Sequence, residues 1–386
     1  MRTPACFGAP RRVIAALFAA AIAWTFPGTG VAALDLLRVP ALVSPKAAKS
    51  MLLGVAHAGD RLVAVGERGI VLYSDDGGKR WTQAKVPVSV TLTAVDFPSK
   101  ERGWAVGHDG VVLNTTDGGR TWIVQLDGSR ASALVIADLE SRVKAAESAV
   151  QSAAAKSRES AEAELDAARN ALEDVKAGVE FGPARPFLGV WFRNDSEGLV
   201  VGSFGQLFHT ADGGKTWESW GGRIANPEGL HFNAIARMPD ASLVISGEAG
   251  KLRRSRDGGT TWQTLDTGYA GHLYGTLAVP ETKTLVSYGF AGNVFRSEDD
   301  GRTWQAVPRL TRKPLIGGLR LADGRLLLLD RDRRQLVSRD DGKSFVLAGS
   351  ETGRPVASAL PVLANGSLVA VGFGGVSLLR PAVSGD

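Results

Sequence analysis

One eight-residue pattern, Ser/Thr-x-Asp-x-Gly-x-x-Trp/Phe, occurs six times in this sequence and restricts the fold more than any other feature. The copies occupy residues 74–81, 115–122, 210–217, 255–262, 297–304 and 338–345. Their last residues are separated by 41, 95, 45, 42 and 41 positions. A period of about 42 residues is the length of one four-stranded blade of a β-propeller.

The pattern combines an acidic residue with glycines, so it could bind a cation, bind an anion or form a structural turn. A calcium loop needs several oxygen ligands around one point, whereas each copy has one fixed Asp, followed in most copies by Lys or Arg. An Asp side chain can instead accept backbone N–H groups across a turn, and Trp can pack between sheets. We therefore expect structural Asp-boxes, with no metal, cofactor or catalytic residue. The expected structural residues are Asp76, Asp117, Asp212, Asp257, Asp299, Asp340, Trp81, Trp122, Trp217, Trp262 and Trp304.

Each of the first five boxes is preceded by two apolar stretches that a Gly-x-x-Gly turn joins, as in VGERGIVLYS at residues 65–74. We expect the glycines to supply positive φ in this turn. A third apolar stretch upstream and the residues that follow the box aromatic complete four strands per repeat. The sixth repeat is degenerate, because Asp330 and Arg333 replace its two glycines.

A seventh repeat lacks a box. Residues 366–380 (GSLVAVGFGGVSLLR) match residues 60–74 (DRLVAVGERGIVLYS) through the strand pair. Its missing outer strand could come from residues 34–42 (LDLLRVPAL), and such an exchange would leave no open sheet edge. The sequence therefore predicts an all-β, seven-bladed β-propeller closed by N-to-C strand exchange.

The 95-residue step contains an insertion near residues 129–184 that predicts an α-helical coiled-coil hairpin. Residues 131–177 contain no Gly or Pro and are rich in Ala, Glu, Lys and Arg, a helical composition. Two narrow apolar seams favour helices that pair with each other. The seams are Ile136, Leu139, Val143, Ala146, Val150 and Ala153, and Ala161, Leu165, Ala168, Leu172, Val175 and Val179.

The hairpin must turn back, because both of its ends join neighbouring blades. We expect the turn near residues 156–160, which would put Glu159, Glu162 and Glu164 in the first turn of the second helix. There they would interact favourably with the helix dipole. We expect the hairpin to project from the propeller; a helical pair folded flat on the propeller is the alternative.

Antiparallel blades place the Gly-x-x-Gly turns and the links between blades at one end of the strands and the boxes at the other end. The helical insertion is one of these links, so it shares its end with the variable residues of the turns. Three turns carry Phe, which indicates either a surface that a partner covers or side chains packed into the central channel. The predicted partner-binding residues are Glu67, Arg68, His108, Asp109, Phe204, Glu248, Phe290, Arg331 and Phe373.

The first 33 residues are typical of a secretory signal peptide. Three arginines precede the apolar run VIAALFAAAIAW, and Val31 and Ala33 stand at the −3 and −1 positions of a cleavage site. An uncleaved anchor is the alternative, although the apolar run is short for a membrane span. The expected divisions are residues 1–33, signal peptide; 34–128, the closing strand and blades one and two; 129–184, helical hairpin; and 185–386, blades three to seven.

Removal of the signal peptide would change the charge and the thiol content of the chain. Residues 34–386 contain 42 Lys and Arg against 40 Asp and Glu, a net charge of about +2. The single cysteine, Cys6, would be lost, so we expect no disulfide and no thiol site. So small a charge gives no reason to expect a nucleic-acid partner. We expect a periplasmic protein, or a lumenal one in a phototroph, that is at most peripheral to the membrane.

Repeated GxxGxVxxTxDGGKTW units behind a signal peptide resemble the photosystem II assembly and stability factor family, whose units are also called BNR or Asp-box repeats. The resemblance covers nearly all of the chain outside the signal peptide and the helical insertion. It implies a non-enzymatic scaffold that helps to assemble membrane protein complexes, with an RND-type transporter as the partner implied by proteobacterial relatives. The inserted hairpin departs from the compact photosynthetic type, and the arginines on the predicted third strands do not match the family's arginine patch.

Two other classes of function remain open. A sialidase-like glycoside hydrolase also carries Asp-boxes, but it needs a Tyr nucleophile, a carboxylic acid/base and clustered arginines. Of the four tyrosines, Tyr73 and Tyr288 fall inside repeat strands, which leaves Tyr269 and Tyr274. A glycan- or ligand-binding propeller is the third class. The histidines lack the paired spacing of a metal site; they are His57, His108, His209, His231 and His272.

Overall fold

The apolar stretches before and after the boxes form short antiparallel strands in a computed structural model of the chain. The structure describes residues 34–179, 182, 185–280, 282–350, 353–362 and 367–381. The predicted signal peptide and its cleavage site lie outside the described residues. One unit, Asp35–Asp386, contains all of the strands and helices given below.

The described residues form seven sheets, six with four strands and one with three. The first sheet contains β1 (Leu52–Ala58), β2 (Arg61–Gly66), β3 (Val71–Ser74) and β4 (Thr82–Gln83), and the second contains β5 (Leu92–Asp96), β6 (Gly103–Gly107), β7 (Val112–Thr115) and β8 (Ile123–Leu126). The third contains β9 (Phe187–Phe192), β10 (Gly198–Gly202), β11 (Leu207–Thr210) and β12 (Glu218–Ser219), and the fourth contains β13 (Phe232–Arg237), β14 (Leu243–Gly247), β15 (Lys251–Ser255) and β16 (Gln263–Asp266). The fifth contains β17 (Leu273–Ala278), β18 (Leu285–Gly289), β19 (Val294–Ser297) and β20 (Gln305–Val307), and the sixth contains β21 (Leu315–Arg320), β22 (Leu326–Asp330), β23 (Arg334–Ser338) and β24 (Val346–Ser350). The seventh contains β25 (Val356–Pro361), β26 (Leu368–Gly372) and β27 (Gly375–Leu379).

The seven sheets are the blades of a propeller, which confirms the predicted architecture. The first strands of the blades contact one another in chain order, and β1 also contacts β25 and β26 of the seventh blade. Apolar clusters fill the spaces between neighbouring blades. One cluster joins Leu52 and Ala64 of the first blade to Val371 of the seventh. Burial of these apolar faces is the main term that holds the blades together.

The prediction that residues 34–42 supply the outer strand of the seventh blade is corrected by the structure. Among the described residues, the seventh sheet has three strands. The N–H of Ala41 donates to the carbonyl of Val86 at 3.0 Å, beside the first blade. The N–H of Ser89 donates to the carbonyl of Leu36 at 2.8 Å. Leu37 and Ala41 pack on the apolar cluster between the first two blades, so the segment buries its apolar side there.

The two glycines of each turn are needed for different reasons, which corrects the expectation that both supply positive φ. Gly66 is extended, with φ −170°, but a Cβ atom there would lie 2.1 Å from the carbonyl oxygen of Met51. Gly69 has φ +70°, and Arg68 before it has φ +53°. The first five blades share this left-handed residue before the second glycine. It is Arg68, Asp109, Phe204, Ala249 or Ala291.

The degenerate sixth blade builds the same turn without the two glycines. Arg333 adopts the left-handed conformation, with φ +69°. The fully buried Asp330 accepts the N–H groups of Asp332 and Arg334 at 2.9 Å each. It also accepts the hydroxyl of Thr311 at 2.9 Å. A buried carboxylate that accepts three hydrogen bonds therefore holds the turn of the sixth blade.

The insertion forms two helices, α1 (Gly128–Ser152) and α2 (Ala155–Val179), which pack on each other as predicted. Arg169 pairs with Glu147 at 2.8 Å, and Lys176 pairs with Glu140 at 2.9 Å, so both ion pairs link the two helices. Both pairs are largely exposed to solvent, so they add little to stability. Within the described ranges, no helix is both long enough and apolar enough to cross a membrane.

The chain reverses at residues 153–154, so the prediction of a turn at residues 156–160 is wrong. Ala153 leaves the helix with φ −66° and ψ +132°, which any residue can adopt, so no polar or flexible segment is needed. The polar residues beyond this point belong to α2. The first turn of α2 contains no acidic residue, and Glu159, Glu162 and Glu164 lie further along that helix.

The base of the hairpin rests on the propeller, which corrects the expectation that the whole hairpin projects. There α1 contacts β12 of the third blade and the turn His108–Gly110 of the second blade. Ala131, Leu134 and Val135 join the apolar cluster between these two blades. From residue 144 onward, most positions of α1 outside the seam are exposed. The first half of α1 therefore rests on the second and third blades next to the turn His108–Gly110, whereas its distal half is largely exposed.

Candidate functional site

The boxes join the third and fourth strands of the first six blades, and their polar groups bond to one another. In the third blade, Asp212 Oδ1 accepts the hydroxyl of Thr210 and the N–H of Thr216, both at 2.9 Å. Asp212 Oδ2 accepts the hydroxyl of Thr216 at 2.7 Å. The Thr210 hydroxyl oxygen accepts the buried N–H of Gly214 at 2.8 Å. The Ser/Thr-to-Asp bond recurs in all six boxes at 2.7–2.9 Å.

These hydrogen bonds stabilise the ionised form of the box carboxylates. The N–H and the hydroxyl of Thr216 lower the pKa of Asp212 to about 2. The hydroxyl and the N–H of Thr261 lower the pKa of Asp257 to about 2. In the part of the chain that the structure describes, no group of three or more His, Cys, Asp or Glu could hold a metal ion. The Asp oxygens are thus occupied by donors of the turn itself.

The box tryptophans pack between blades, and the third blade differs from the others. Four indoles donate Nε1–H to a glycine carbonyl of their own box at 2.9–3.0 Å; they are Trp81, Trp122, Trp262 and Trp304. The Nε1–H of Trp217 is buried and has no acceptor among the described residues. Its ring meets Phe192 edge-on at 6.2 Å, in the cluster that α1 joins through Ala131. The unsatisfied indole therefore lies where the hairpin meets the propeller.

The opposite end of the strands carries the turns, the links between blades and the base of the hairpin; we call it the turn face. Three phenylalanines of the turns are about half exposed on it. Phe204 is 56% exposed, Phe290 48% and Phe373 46%. Side chains packed into a central channel would be far more buried, so these rings present apolar surface at the turn face.

Cationic and aromatic groups pack against two of these rings. The guanidinium of Arg185 lies 5.2 Å from the centre of the Phe204 ring, and that of Arg331 lies 5.1 Å from the centre of the Phe373 ring. Both distances are in the range of a cation–π contact. The ring of His231 lies 4.7 Å from that of Phe204. Arg185 belongs to the segment that returns from α2, so the hairpin insertion positions a cation over Phe204.

Glu248 connects the segments that lead into the fourth and fifth blades. Its Oε2 accepts the N–H of His231 at 2.7 Å and lies 3.2 Å from His231 Nδ1. Its Oε1 lies 3.4 Å from Nδ1 of His272. The ring of His272 meets that of Phe290 at 6.2 Å. One carboxylate thus orients two imidazoles, each of which packs against an exposed Phe.

Five residues of the third, fourth and fifth blades therefore form a contiguous group, which we call the aromatic band. They are Phe204, His231, Glu248, His272 and Phe290. The band offers two apolar rings with imidazole and carboxylate groups between them. Aromatic rings next to polar groups are typical of protein-binding surfaces, where such rings carry much of the binding energy. Nothing in this geometry positions a nucleophile next to a base.

The structure separates the other predicted partner-binding residues from the band. The carboxylate of Glu67 accepts the N–H of Met51 at 2.8 Å, which anchors the turn of the first blade, and Arg68 is the left-handed residue of that turn. His108 and Asp109 form the turn that α1 contacts. Burial there raises the pKa of Asp109, and the charge of His108 opposes this shift. Arg331 and Phe373 form a second aromatic–cation pair, on the sixth and seventh blades.

Sequence reasoning missed three residues of this surface. The separation of His231 and His272 matches no metal motif, so the sequence indicates no site for them; that separation is 41 residues, which is one repeat. Each stands directly before the first strand of its blade. The two histidines therefore occupy equivalent positions in neighbouring blades, which places them close to each other. Arg185 follows the helical insertion, where no repeat position is defined, and no sequence signal indicates its contact with Phe204.

The residues that a sialidase-like site would need are not assembled at one place within the described ranges. Tyr269 and Tyr274, the two tyrosines that the sequence leaves open, lie near the turn face, where the hydroxyl of Tyr269 donates to the carbonyl of Phe290 at 3.4 Å. Tyr73 and Tyr288 lie in β3 and β18, on different blades, and burial raises the pKa of Tyr288. The buried guanidinium of Arg254 donates to Asp240 at 2.7 Å and also to Asp300. These contacts tie the fourth blade to the fifth at the box end, so this arginine serves the packing of the blades.

Comparisons with known proteins agree with this architecture. A solved structure of YCF48 bound to D1 peptide matches with a TM-score of 0.59 and 16% identity, over 87% of this chain and 94% of that one. YCF48 from Cyanidioschyzon merolae matches with a TM-score of 0.58 and 14% identity, over 86% and 95%. The WD40 β-propeller domain of Doa1 matches with a TM-score of 0.53 and 10% identity, over 89% and 95%. At these identities the likeness shows the fold alone.

The sequence comparisons identify the family. No curated protein has a sequence that matches this chain. The family model described as photosynthesis system II assembly factor YCF48 matches residues 80–137 and 170–330, which is more than half of the chain. The chain therefore belongs to the YCF48 photosystem II assembly factor family.

Proposed function

We propose that this chain is a non-enzymatic assembly factor that binds a segment of a membrane protein complex on its turn face. The observation that carries the proposal is the aromatic band, together with Phe373, on one end of the propeller. Each phenylalanine is already about half buried, so it can bury roughly another 100 Å² in a complex. The box end, by contrast, uses its carboxylates and indoles within its own turns.

Family membership supports an assembly role, and the YCF48 structure with a D1 peptide shows that a propeller of this kind can hold a peptide. For this chain we propose a partner of the same general class, a membrane protein that presents an extramembrane segment. The signal peptide predicted in residues 1–33 supports export, so we propose that binding takes place in the periplasm. The partner to test first is an RND-type transporter.

Site-specific photo-cross-linking in living cells tests this proposal. The photoreactive residue p-benzoylphenylalanine replaces Phe204, Phe290 or Phe373 one at a time, and mass spectrometry identifies the cross-linked proteins. Arg302, which is exposed in the box of the fifth blade, is the matched control position at the opposite end. We expect the three Phe positions to capture the same membrane protein, with little of it captured from position 302.

Two results would contradict the proposal. Equal capture from position 302 would show that the turn face is not the binding surface. Capture of soluble proteins alone would exclude a membrane complex as the partner. Fusion of alkaline phosphatase after residue 381 tests the location separately, because this enzyme is active only after export; an inactive fusion that accumulates in the cytoplasm would refute the periplasmic assignment.

A further inference from the structure

A groove separates the helical hairpin from the third blade. One wall consists of the sides of α1 and α2 that face the blade, and the other consists of the turn at Phe204 and the loop that follows β12. The groove has a volume of about 1120 Å³ and adjoins a pocket of about 600 Å³ beside Trp217. Small residues line much of both walls; they are Ala145, Ala149, Ala167, Ala171, Gly221 and Gly222.

The charged groups along the groove largely balance one another. Burial raises the pKa of Asp138, and the nearby positive charge of Arg142 opposes this rise. Arg185, at the Phe204 end, interacts with Asp174 in the same way. Glu164 is the remaining charged side chain along the walls. A charged occupant would lose hydration without gaining an opposite charge, so the groove suits an uncharged one.

The size of the groove indicates a peptide rather than a metabolite. Pockets for small molecules usually span about 300–1,000 Å³, and the two connected spaces exceed this range. Along α1 the lining runs from Val135 to Ala149, which is about 21 Å at the helical rise. An extended segment of six residues is about 20 Å long and fills roughly 950 Å³ at the usual strand and sheet spacings.

The volume of the groove favours an extended segment over a helix. A helix is about 10–12 Å across with its side chains, so about 20 Å of helix fills roughly 1,600 Å³ or more. The groove has a volume of about 1120 Å³, which holds an extended segment of that length but not a helix.

The groove is continuous with the turn face. Phe204 and Arg185 line its outer end, and Phe204 is also the first ring of the aromatic band. A polypeptide that crosses the band can therefore continue between the hairpin and the third blade. We propose that the groove binds an extended, uncharged, small-residue segment of the same partner that docks on the turn face. This inference rests on the proposed function for the identity of the partner.

A peptide selection tests the inference. A phage library of random dodecapeptides is selected on the full chain, and the enriched peptides are synthesised and measured by fluorescence polarisation. Ala149→Trp fills the groove from an exposed position on α1, and Ala163→Trp makes the same change at an exposed position of α2 that does not line it. We expect at least tenfold weaker binding to the first variant and unchanged binding to the second. Thermal melting of both variants confirms that they are folded.

Further measurements distinguish a failure of the groove assignment from a failure of the proposed function. Phe290→Ala tests the aromatic band: if it weakens binding but Ala149→Trp does not, the groove assignment is overturned and the proposed function stands. If neither variant weakens binding, or no peptide is enriched, both proposals fail. A peptide stapled into a helix should bind at least tenfold more weakly; equal or tighter binding would overturn the extended conformation. A dimer in sedimentation that Ala149→Trp abolishes would make a second copy of this chain the occupant and overturn the assignment to another protein.

Discussion

The hydroxyl of Thr210, in the box of the third blade, allows a direct test of how much the box hydrogen bonds stabilise the propeller. Thr210 is 1% exposed, and its Oγ1 both accepts the buried N–H of Gly214 and donates to Asp212. Thr210→Val keeps the shape of the side chain and removes both bonds, together with the longer bond that Oγ1 accepts from the N–H of Asp212 at 3.3 Å. The stranded N–H of Gly214 costs about 1–3 kcal/mol. The lost bond to the partly solvated Asp212 carboxylate adds about 1 kcal/mol.

The expected loss of unfolding free energy is therefore about 3 kcal/mol. With an unfolding entropy of about 2.1 cal/mol/K per residue over roughly 350 residues, this corresponds to a fall in Tm of about 4 °C. Urea unfolding followed by tryptophan fluorescence measures the free energy, and circular dichroism measures Tm. Thr264→Val is the control, because Thr264 is exposed on the outer strand β16; it should change the free energy by less than about 0.5 kcal/mol.

A loss below about 1 kcal/mol for Thr210→Val would refute the view that the hydroxyl holds the box hairpin. A double-mutant cycle with Asp212→Asn gives a second criterion. Because the two side chains share a hydrogen bond, their effects should be non-additive by about 0.5 kcal/mol or more. Additive effects would mean that Thr210 and Asp212 act separately, contrary to the geometry.

Three further predictions concern the box carboxylates, the buried Asp96 and the turn residue Phe204. The pKa values of Asp212 and Asp257 are lowered to about 2, so the stability that these carboxylates give the folded chain is complete above the ordinary pKa of 3.8 and should be lost as pH falls from about 4 to 2. Urea unfolding across this range measures the unfolding free energy, and a profile that does not change with pH would contradict the prediction. Burial raises the pKa of Asp96 to about 6, so the folded chain binds more protons than the unfolded chain between pH 4 and 6, and wild-type stability should fall as pH rises through this window. Asp96→Asn should remove that fall in stability, which is worth up to about 3 kcal/mol. An unchanged slope of stability against pH would exclude Asp96 as its cause. Phe204→Gly should abolish peptide binding but change unfolding free energy by less than about 1 kcal/mol, because relief of the left-handed backbone, about 1–2 kcal/mol, offsets the lost ring contacts; a large loss of stability would show that Phe204 is a packing residue.

The repeat made the architecture predictable, because every blade uses the same turn chemistry at the same spacing. Seven blades, the box hairpins and two paired helices all follow from local patterns in the chain. The path of residues 36–41 could not be predicted in the same way. Both the edge of the seventh blade and the side of the first can accept an apolar strand-like segment, and the choice depends on hydrogen bonds to Val86 and Ser89 that no pattern encodes.

The candidate site was predictable only in part, because a surface is assembled from different blades. Phe204 and Phe290 stand at variable turn positions and were predicted as partner-binding residues on that ground. The link between them depends on Glu248 contacting both His231 and His272, which requires the lateral spacing of the blades. Taken singly, the histidines show no metal-site spacing, although the separation of His231 and His272 equals one repeat. Comparing equivalent positions in neighbouring repeats is therefore the way to find such contacts from sequence.

The turn geometry explains why the end opposite the boxes is free to carry function. The residue before the second turn glycine has φ between +50° and +55° in the first five blades, whether it is Arg68, Asp109, Phe204, Ala249 or Ala291. Non-glycine residues in this conformation cost about 1–2 kcal/mol, and the cost arises from the Cβ atom, so it is similar for Arg68, Phe204, Ala249 and Ala291 and smaller for Asp109, whose side chain can hydrogen-bond locally. The fold therefore fixes the backbone at these positions but hardly favours one side chain over another. At the boxes, by contrast, a change of the Ser/Thr hydroxyl leaves a buried N–H without its acceptor, and a change of Asp removes the acceptor of that hydroxyl. An exposed Phe at a position that the fold leaves open has no structural reason to be there, so binding is the explanation that the geometry favours.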